Sequence, residues 1–219
     1  MNELPFSQSC ENNKQPILDR IRPLLASTSR VLEIAGGTGQ HAEFFAANLP
    51  HLYWQASDVP SNVASLNQRL AAAQLKNLSP AALPLDVNQA SWRDGSWAES
   101  TAAPARANNA EDSQSQYDAL FSANCLHIMS ADSVVNFFLG AGKLFSGAGL
   151  VLLYGPFKYK GEFTSASNAA FDARLKERYA GSGIRDFELI CDLARGAGFA
   201  LQEDFDMPAN NRLLVFGEH

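Results

Sequence analysis

At 219 residues the chain can bury a sizeable core around one sheet, and its 46% apolar and 18% charged residues exclude an intrinsically disordered protein. A formal net charge of −6, with no dense lysine or arginine run, excludes a broad electropositive face, so no nucleic-acid partner is expected. No run of about eighteen apolar residues occurs and residues 1–16 carry no signal-like apolar stretch, so a soluble, cytoplasmic single domain over residues 1–219 without membrane partners is expected. The cysteines at 10, 125 and 191 are too scattered for a disulfide framework or a metal site, and reduced thiols are expected.

In chain order, residues 1–29 read as an N-terminal helical arm, its helix starting near Pro16, a residue suited to a first turn. From Val31 onward short β-rich apolar runs alternate with helical periodicity, as in a wound α/β sheet. The expected strands are Arg30–Ala35, Leu52–Ser57, Ala82–Leu85, Asp118–Ala123, Leu150–Tyr154, Leu201–Asp206 and Arg212–Phe216. Between them, Val63, Leu66 and Leu70, then Val134, Phe137 and Phe138, then Phe171, Leu175 and Tyr179 give three helices an apolar stripe each. A further helix through Phe187, Ile190 and Ala194 has Asp186 as N-cap and Gly198 as terminator. Residues 98–115, small and polar, predict an exposed, flexible loop. Only residues 207–211 separate the last two strands, too few for a parallel crossover. The expectation is therefore an α/β fold: a seven-stranded mixed sheet with an antiparallel C-terminal hairpin and helices on both faces.

The segment Val31-Leu-Glu-Ile-Ala-Gly-Gly-Thr-Gly39 is a strand running into a glycine-dense turn and then a helix from Gln40. Such a turn lets a ligand approach the main chain, and the helix start offers free N–H groups. Residues 37–42 also fit the loose dinucleotide fingerprint, so two cofactor classes compete. Glu33 separates them, because a second negative charge adds nothing to a pyrophosphate site but attracts a ligand bearing an ammonium group. Asp58 closes the second strand, where it can accept both hydroxyls of a ribose or serve as a turn residue before Val59-Pro60. Asp86 closes the third, and three acids at C-terminal strand ends match ligand placement in open α/β sheets.

Glu33 to Gly39 resembles the first motif of class I S-adenosylmethionine (SAM)-dependent methyltransferases, with Ala35 standing where the first glycine usually falls. That resemblance implies a Rossmann-like class I methyltransferase fold and SAM as cofactor. It would be held by Glu33, Ala35, Gly37, Gly39, Asp58, Asp86, Val87 and Asn124, with Asp86 accepting the adenine amino group beside Val87. Phe121 to Met129 is similar to the segment lining the transfer site in that superfamily, which makes Asn124 and His127 contact candidates. Apart from residues 98–115, the chain resembles an uncharacterised family of methyltransferase-like proteins, domain of unknown function 938. The likeness runs through Pro5-Phe-Ser7, Glu11 to Leu18, Leu32 to His41, Tyr154 to Phe157, Phe163 to Asp172, Gly183 to Asp186 and Met207 to Asn211. In these segments Phe157 and Phe163 offer apolar walls, while Asn168, Arg185, Asn210 and Asn211 offer polar contacts, the composition of a small-molecule pocket. The same asparagines could equally satisfy loop backbone, and the aromatics could be core.

The expected activity is methyl transfer from SAM to an unidentified, small-molecule acceptor. SAM carries its own reactive methyl, so the protein must chiefly position the acceptor, and His127, Tyr154 or Asp172 could take a proton from it. Two alternatives stand: a non-catalytic SAM-binding protein, and an NAD(P)-dependent oxidoreductase, which Glu33 and Asp86 disfavour. No metal is expected.

Overall fold

The computed structural model describes residues 4–101, 117–145 and 148–218. The first helix, α1 (Gln8–Leu24), begins eight residues before Pro16, because the Ser7 hydroxyl caps it by accepting from the Cys10 amide at 3.4 Å. Pro16 and Pro23 both lie inside it. Burial of Ile17, Leu18 and Ile21 offsets the amide hydrogen bonds that the prolines cannot make.

The chain then alternates: β1 (Arg30–Ile34), α2 (Gln40–Asn48), β2 (Tyr53–Asp58), α3 (Pro60–Ala73) and β3 (Leu83–Pro84). Two short helices follow, α4 (Ala90–Asp94) and α5 (Ser96–Ser100), so the expected loop begins as helix; residues 102–116 lie outside the described residues. Next come β4 (Ala119–Ala123), α6 (Ala131–Leu144) and β5 (Leu150–Gly155). Three short strands absent from the sequence reading, β6 (Phe157–Tyr159), β7 (Glu162–Phe163) and β8 (Arg185–Asp186), form a small sheet of their own around α7 (Ala166–Arg178). The chain closes with α8 (Phe187–Gly196), β9 (Phe199–Met207) and β10 (Asn211–Glu218).

The main sheet has the order β3-β2-β1-β4-β5-β10-β9. Its first five strands pair in parallel, while β10 runs antiparallel to both β5 and β9, the expected hairpin. Both faces are covered, so strand residues alternate between two cores. Val31, Phe121, Leu152 and Leu213 pack with Phe45 of α2 and Leu66 of α3; Leu32, Leu120, Val151 and Leu214 pack with Phe137 of α6 and Ile190 of α8. Around α8 the capping expectation needs correction. Asp186 occupies the N-cap position without capping, since its carboxylate accepts from the Gly161 amide at 3.1 Å and pairs with Lys158 at 3.3 Å. Tyr179 is likewise not part of the α7 stripe: it lies beyond the helix at 39% exposure, and the buried positions are Asn168, Asp172 and Leu175.

Candidate functional site

The strand order reverses between β1 and β4, and the crevice outside the carboxyl ends of these strands is where open α/β sheets bind ligands. Three strand ends meet there. After β1 the backbone turns through Ala35, Gly37 and Gly39 at φ of 60°, 56° and 76°. For Ala35 the left-handed region costs roughly 1–2 kcal/mol, which the surrounding hydrogen bonds must hold in place. The Gly36 amide donates to Ser57 O at 2.9 Å, and the Gly37 amide donates to Asp58 Oδ2 at 2.8 Å. The other oxygen of Asp58 accepts from the Val59 amide at 2.8 Å and from Asn62 Nδ2 at 2.9 Å. One carboxylate thus fixes the turn while keeping lone-pair capacity for a ligand hydroxyl. A Cβ on Gly37 would meet nothing closer than Ala35 O at 4.0 Å, so the outer side of the turn is open; on Gly39 it would stand 2.9 Å from Leu66, so that glycine is needed for packing.

The cavity above this turn measures about 570 Å³, within the usual range for small-molecule sites. Asp58, Val59, Asp86, Val87 and Asn88 line one side, and Ala123, Asn124, Cys125, His127, Ile128 and Met129 line the other, with Phe171 of α7 across from them. Among the described residues that line it are two carboxylates and no lysine or arginine, so the field favours a cationic ligand over a pyrophosphate. Asp86 keeps one oxygen without a hydrogen bond among the described residues, the other accepting from the Asn88 amide at 2.9 Å. The start of α1 also reaches the cavity through Ser7, Ser9 and Cys10. It is tied there by Gln40, which accepts from the Ser7 amide and donates to Glu11 at 3.1 Å, and by Arg69, which donates to Pro5 O at 2.6 Å and Thr38 O at 2.9 Å. No local sequence signal marks this closure, because its partners lie tens of residues apart.

His127 sits on the turn after β4, which opens with Asn124 at φ 55°. The ring is 5% exposed, lines the cavity and packs edge-on against Phe171 with centroids 5.3 Å apart. Neither ring nitrogen takes part in a hydrogen bond among the described residues. Burial first, then the positive Arg185, push its pKa down to about 4, so the ring is neutral near pH 7. The turn is gripped from behind. Arg185 donates to Leu126 O at 3.1 Å, to Gly181 O at 2.9 Å and to Met129 O, while the Gly183 amide donates to His127 O at 2.9 Å. Asp172 holds that clamp, accepting from the Ile184 amide at 2.7 Å and pairing with Lys176 at 2.7 Å. Burial by itself would raise the Asp172 pKa, but Lys176 and the Ile184 amide outweigh it and hold the carboxyl below its ordinary value. A second histidine, His41, lines the cavity with Nε2 2.6 Å from Asn13 Oδ1, and burial pushes its pKa down to about 4.

Of the residues singled out in the sequence, Ala35, Gly37, Asp58, Asp86, Val87, Asn124 and His127 line the cavity together. Glu33 does not. It points into the core, where Oε2 accepts from Trp54 Nε1 at 2.9 Å, and burial pushes its carboxyl up to about 7, with Asp58 adding to the rise and Trp54 opposing it. Tyr154 is buried, and burial raises its pKa, with the side chains of Asn211 and Asn13 opposing the rise. Phe157 is core, and Phe163 lies 36% exposed under the Lys158 ammonium. Asn168 donates to Thr164 at 2.9 Å and to Asn210 O at 3.1 Å, and Asn211 donates to Pro208 O at 3.1 Å, so these asparagines satisfy loop backbone. Arg185 and Asp172 serve the clamp instead of lining the cavity.

A family model described as "Protein of unknown function (DUF938)" matches residues 4–218. Among solved structures, an O-methyltransferase family protein from Burkholderia thailandensis superposes with a TM-score of 0.73 at 18% identity, over 94% of this chain and 56% of that one. Human N-acetylserotonin methyltransferase in complex with SAM gives 0.72 at 14% identity, over 96% and 53%. PigF with S-adenosylhomocysteine (SAH) gives 0.71 at 15%, over 93% and 55%. At these identities the likeness concerns the fold, a Rossmann-like class I methyltransferase architecture, and this chain spans a little over half the length of those proteins.

Proposed function

We propose that this chain, which belongs to the DUF938 family, is a SAM-dependent methyltransferase acting on a small-molecule acceptor. The observation that carries the reading is the cavity itself: among the described residues, an open glycine cradle and two carboxylates without a cation on one side, and a buried, neutral His127 without a hydrogen-bond partner on the other. The protein from Burkholderia thailandensis named as an O-methyltransferase, and the SAM and SAH complexes of the human enzyme and PigF, lend support through their common architecture. The residues present suit this cofactor. The turn through Ala35, Gly36 and Gly37 lines the cavity with its outer side open, Asp58 has capacity for ribose hydroxyls, and the Asp86 oxygen without a hydrogen bond among the described residues can accept an adenine amino group beside Val87. SAM supplies, when bound, a methyl already activated on a sulfonium.

The remaining work belongs to the chain. Asn124 and the turn after β4 orient the acceptor, Phe171 and the α1 start exclude water, and His127 accepts the proton the acceptor must lose. Asp172 and Arg185 are positioning residues that keep the His127 turn in place. The test is calorimetric titration with SAM, SAH and NADH in parallel, on the native chain and on Asp86→Ala. Micromolar binding of both sulfur ligands, about 8 kcal/mol, with loss in the variant and no NADH binding is the expected result. NADH binding without SAM or SAH binding would sink the proposal.

A further inference from the structure

The two sides of the cavity differ in chemistry. Asp58 and Asp86 both lie on the β2–β3 side, and from Ala123 to Met129, across to Phe171 and back to Cys10, no charged side chain among the described residues lines the wall. Nearby cations are committed elsewhere: Arg185 to three carbonyls, Lys176 to Asp172, Lys14 to Glu11, and Arg69 to Glu43 and two carbonyls. Arg174 lies 6.0 Å over the Phe171 ring and is not among the lining residues. An acceptor carrying a carboxylate or phosphate would therefore find no cationic partner among the described residues of this wall, which costs affinity. Ile128 is 47% exposed although it lines the cavity, and with Met129 and the Phe171 ring it forms an apolar rim awaiting a hydrophobic body. The His127 ring lines the same cavity and makes no hydrogen bond among the described residues, and its neutral imidazole offers one acceptor nitrogen to a hydroxyl placed there. Arg185 behind the ring disfavours a second positive charge at that point, which argues against an ammonium acceptor.

We infer that the methyl acceptor is an uncharged aromatic hydroxyl compound, its ring lying against Phe171, Ile128 and Met129 and its hydroxyl directed at His127. This assignment rests on the methyltransferase reading above. A phenolic hydroxyl, with a pKa near that of tyrosine at about 10, gives up its proton far more readily than an aliphatic alcohol does. In the transfer the hydroxyl oxygen gains the methyl as the carbon–sulfur bond of the sulfonium breaks, the electron pair stays on sulfur as a neutral thioether, and the hydroxyl proton passes to His127 and on to water.

The experiment uses the full chain. SAH is titrated first, and the SAH-saturated protein is then titrated with 2-naphthol and with 6-hydroxy-2-naphthoate; SAH formation from SAM is followed with each. The expected result is 2-naphthol binding about tenfold or more tighter than its carboxylate analogue. Phe171→Ala should weaken naphthol about tenfold with SAH affinity unchanged, and His127→Ala should keep naphthol bound while losing transfer. Equal or tighter binding of the carboxylate, or no naphthol binding to the SAH-loaded protein, overturns the acceptor assignment while leaving the cofactor reading intact. Failure of SAH itself to bind would remove the methyltransferase reading, and the acceptor assignment with it.

Discussion

Replacing Glu33 by glutamine isolates one buried titration. The carboxyl lies at 2% exposure against Trp54 with its pKa raised from 4.5 to about 7. A folded-state value above the unfolded one means that this group favours folding fully below about pH 4.5 and loses that contribution as pH rises through 7. The difference of about 2.5 pKa units corresponds to about 3 kcal/mol, at 1.36 kcal/mol per unit. Glu33→Gln keeps the oxygen that accepts from Trp54 but cannot ionise, and any cost of burying its extra amide hydrogens does not vary with pH. The measurement is urea unfolding of both proteins from pH 4.5 to 8, reading the difference between them so that all other titrations cancel. The variant should gain about 3 kcal/mol relative to the native chain across that range, a midpoint shift of roughly 1–2 M at an m-value of about 2 kcal/mol/M. A difference that stays flat with pH to within about 0.5 kcal/mol would refute the reasoning, because the carboxyl would then titrate alike in the folded and unfolded chain.

Three further outcomes follow from the turn and the clamp. Ala35→Gly relieves a left-handed alanine at φ 60° and should stabilise by roughly 1 kcal/mol after the glycine's extra unfolded-state entropy, read as a melting temperature about 2–4 °C higher. Gly39→Ala meets both φ 76° and a contact of 2.9 Å with Leu66, and should lose about 2 kcal/mol in denaturant titration together with SAH binding. Asp172→Asn abolishes the charge pair with Lys176 behind the His127 turn; turnover should fall several-fold and stability by about 1–3 kcal/mol, while calorimetry finds SAH affinity unchanged.

Much of the framework is carried by contiguous residues. Alternation and length mark the main-sheet strands, the short span between β9 and β10 requires their hairpin, and three glycines within four residues mark a turn with positive φ. Asp58 and Asp86 follow from their places at strand ends, and His127 from the turn after β4, so most of the cavity floor was legible. Local pattern failed where the partner is remote. Pro16 looked like a helix start, but the cap is Ser7 and the stabilising contacts are with α2. Asp172, Arg185 and Asn168 have the composition of pocket residues, yet their polar atoms are taken by backbone groups 12, 59 and 42 positions away.

The sequence by itself thus determined the chain order of the seven main-sheet strands and the longer helices, and the chemistry available at their ends, because periodicity, glycine freedom and strand-end position are properties of neighbouring residues. The tertiary structure alone decided which of those polar groups faces the cavity. Glu33 turns inward because successive strand side chains alternate between faces and its face belongs to the Trp54 and Phe45 core, while α1, tied down by Gln40 and Arg69, brings Ser9 and Cys10 over a site that no nearby residue announces. Orientation of this kind is set by packing between distant segments, and a buried polar atom goes to whichever partner that packing places within reach.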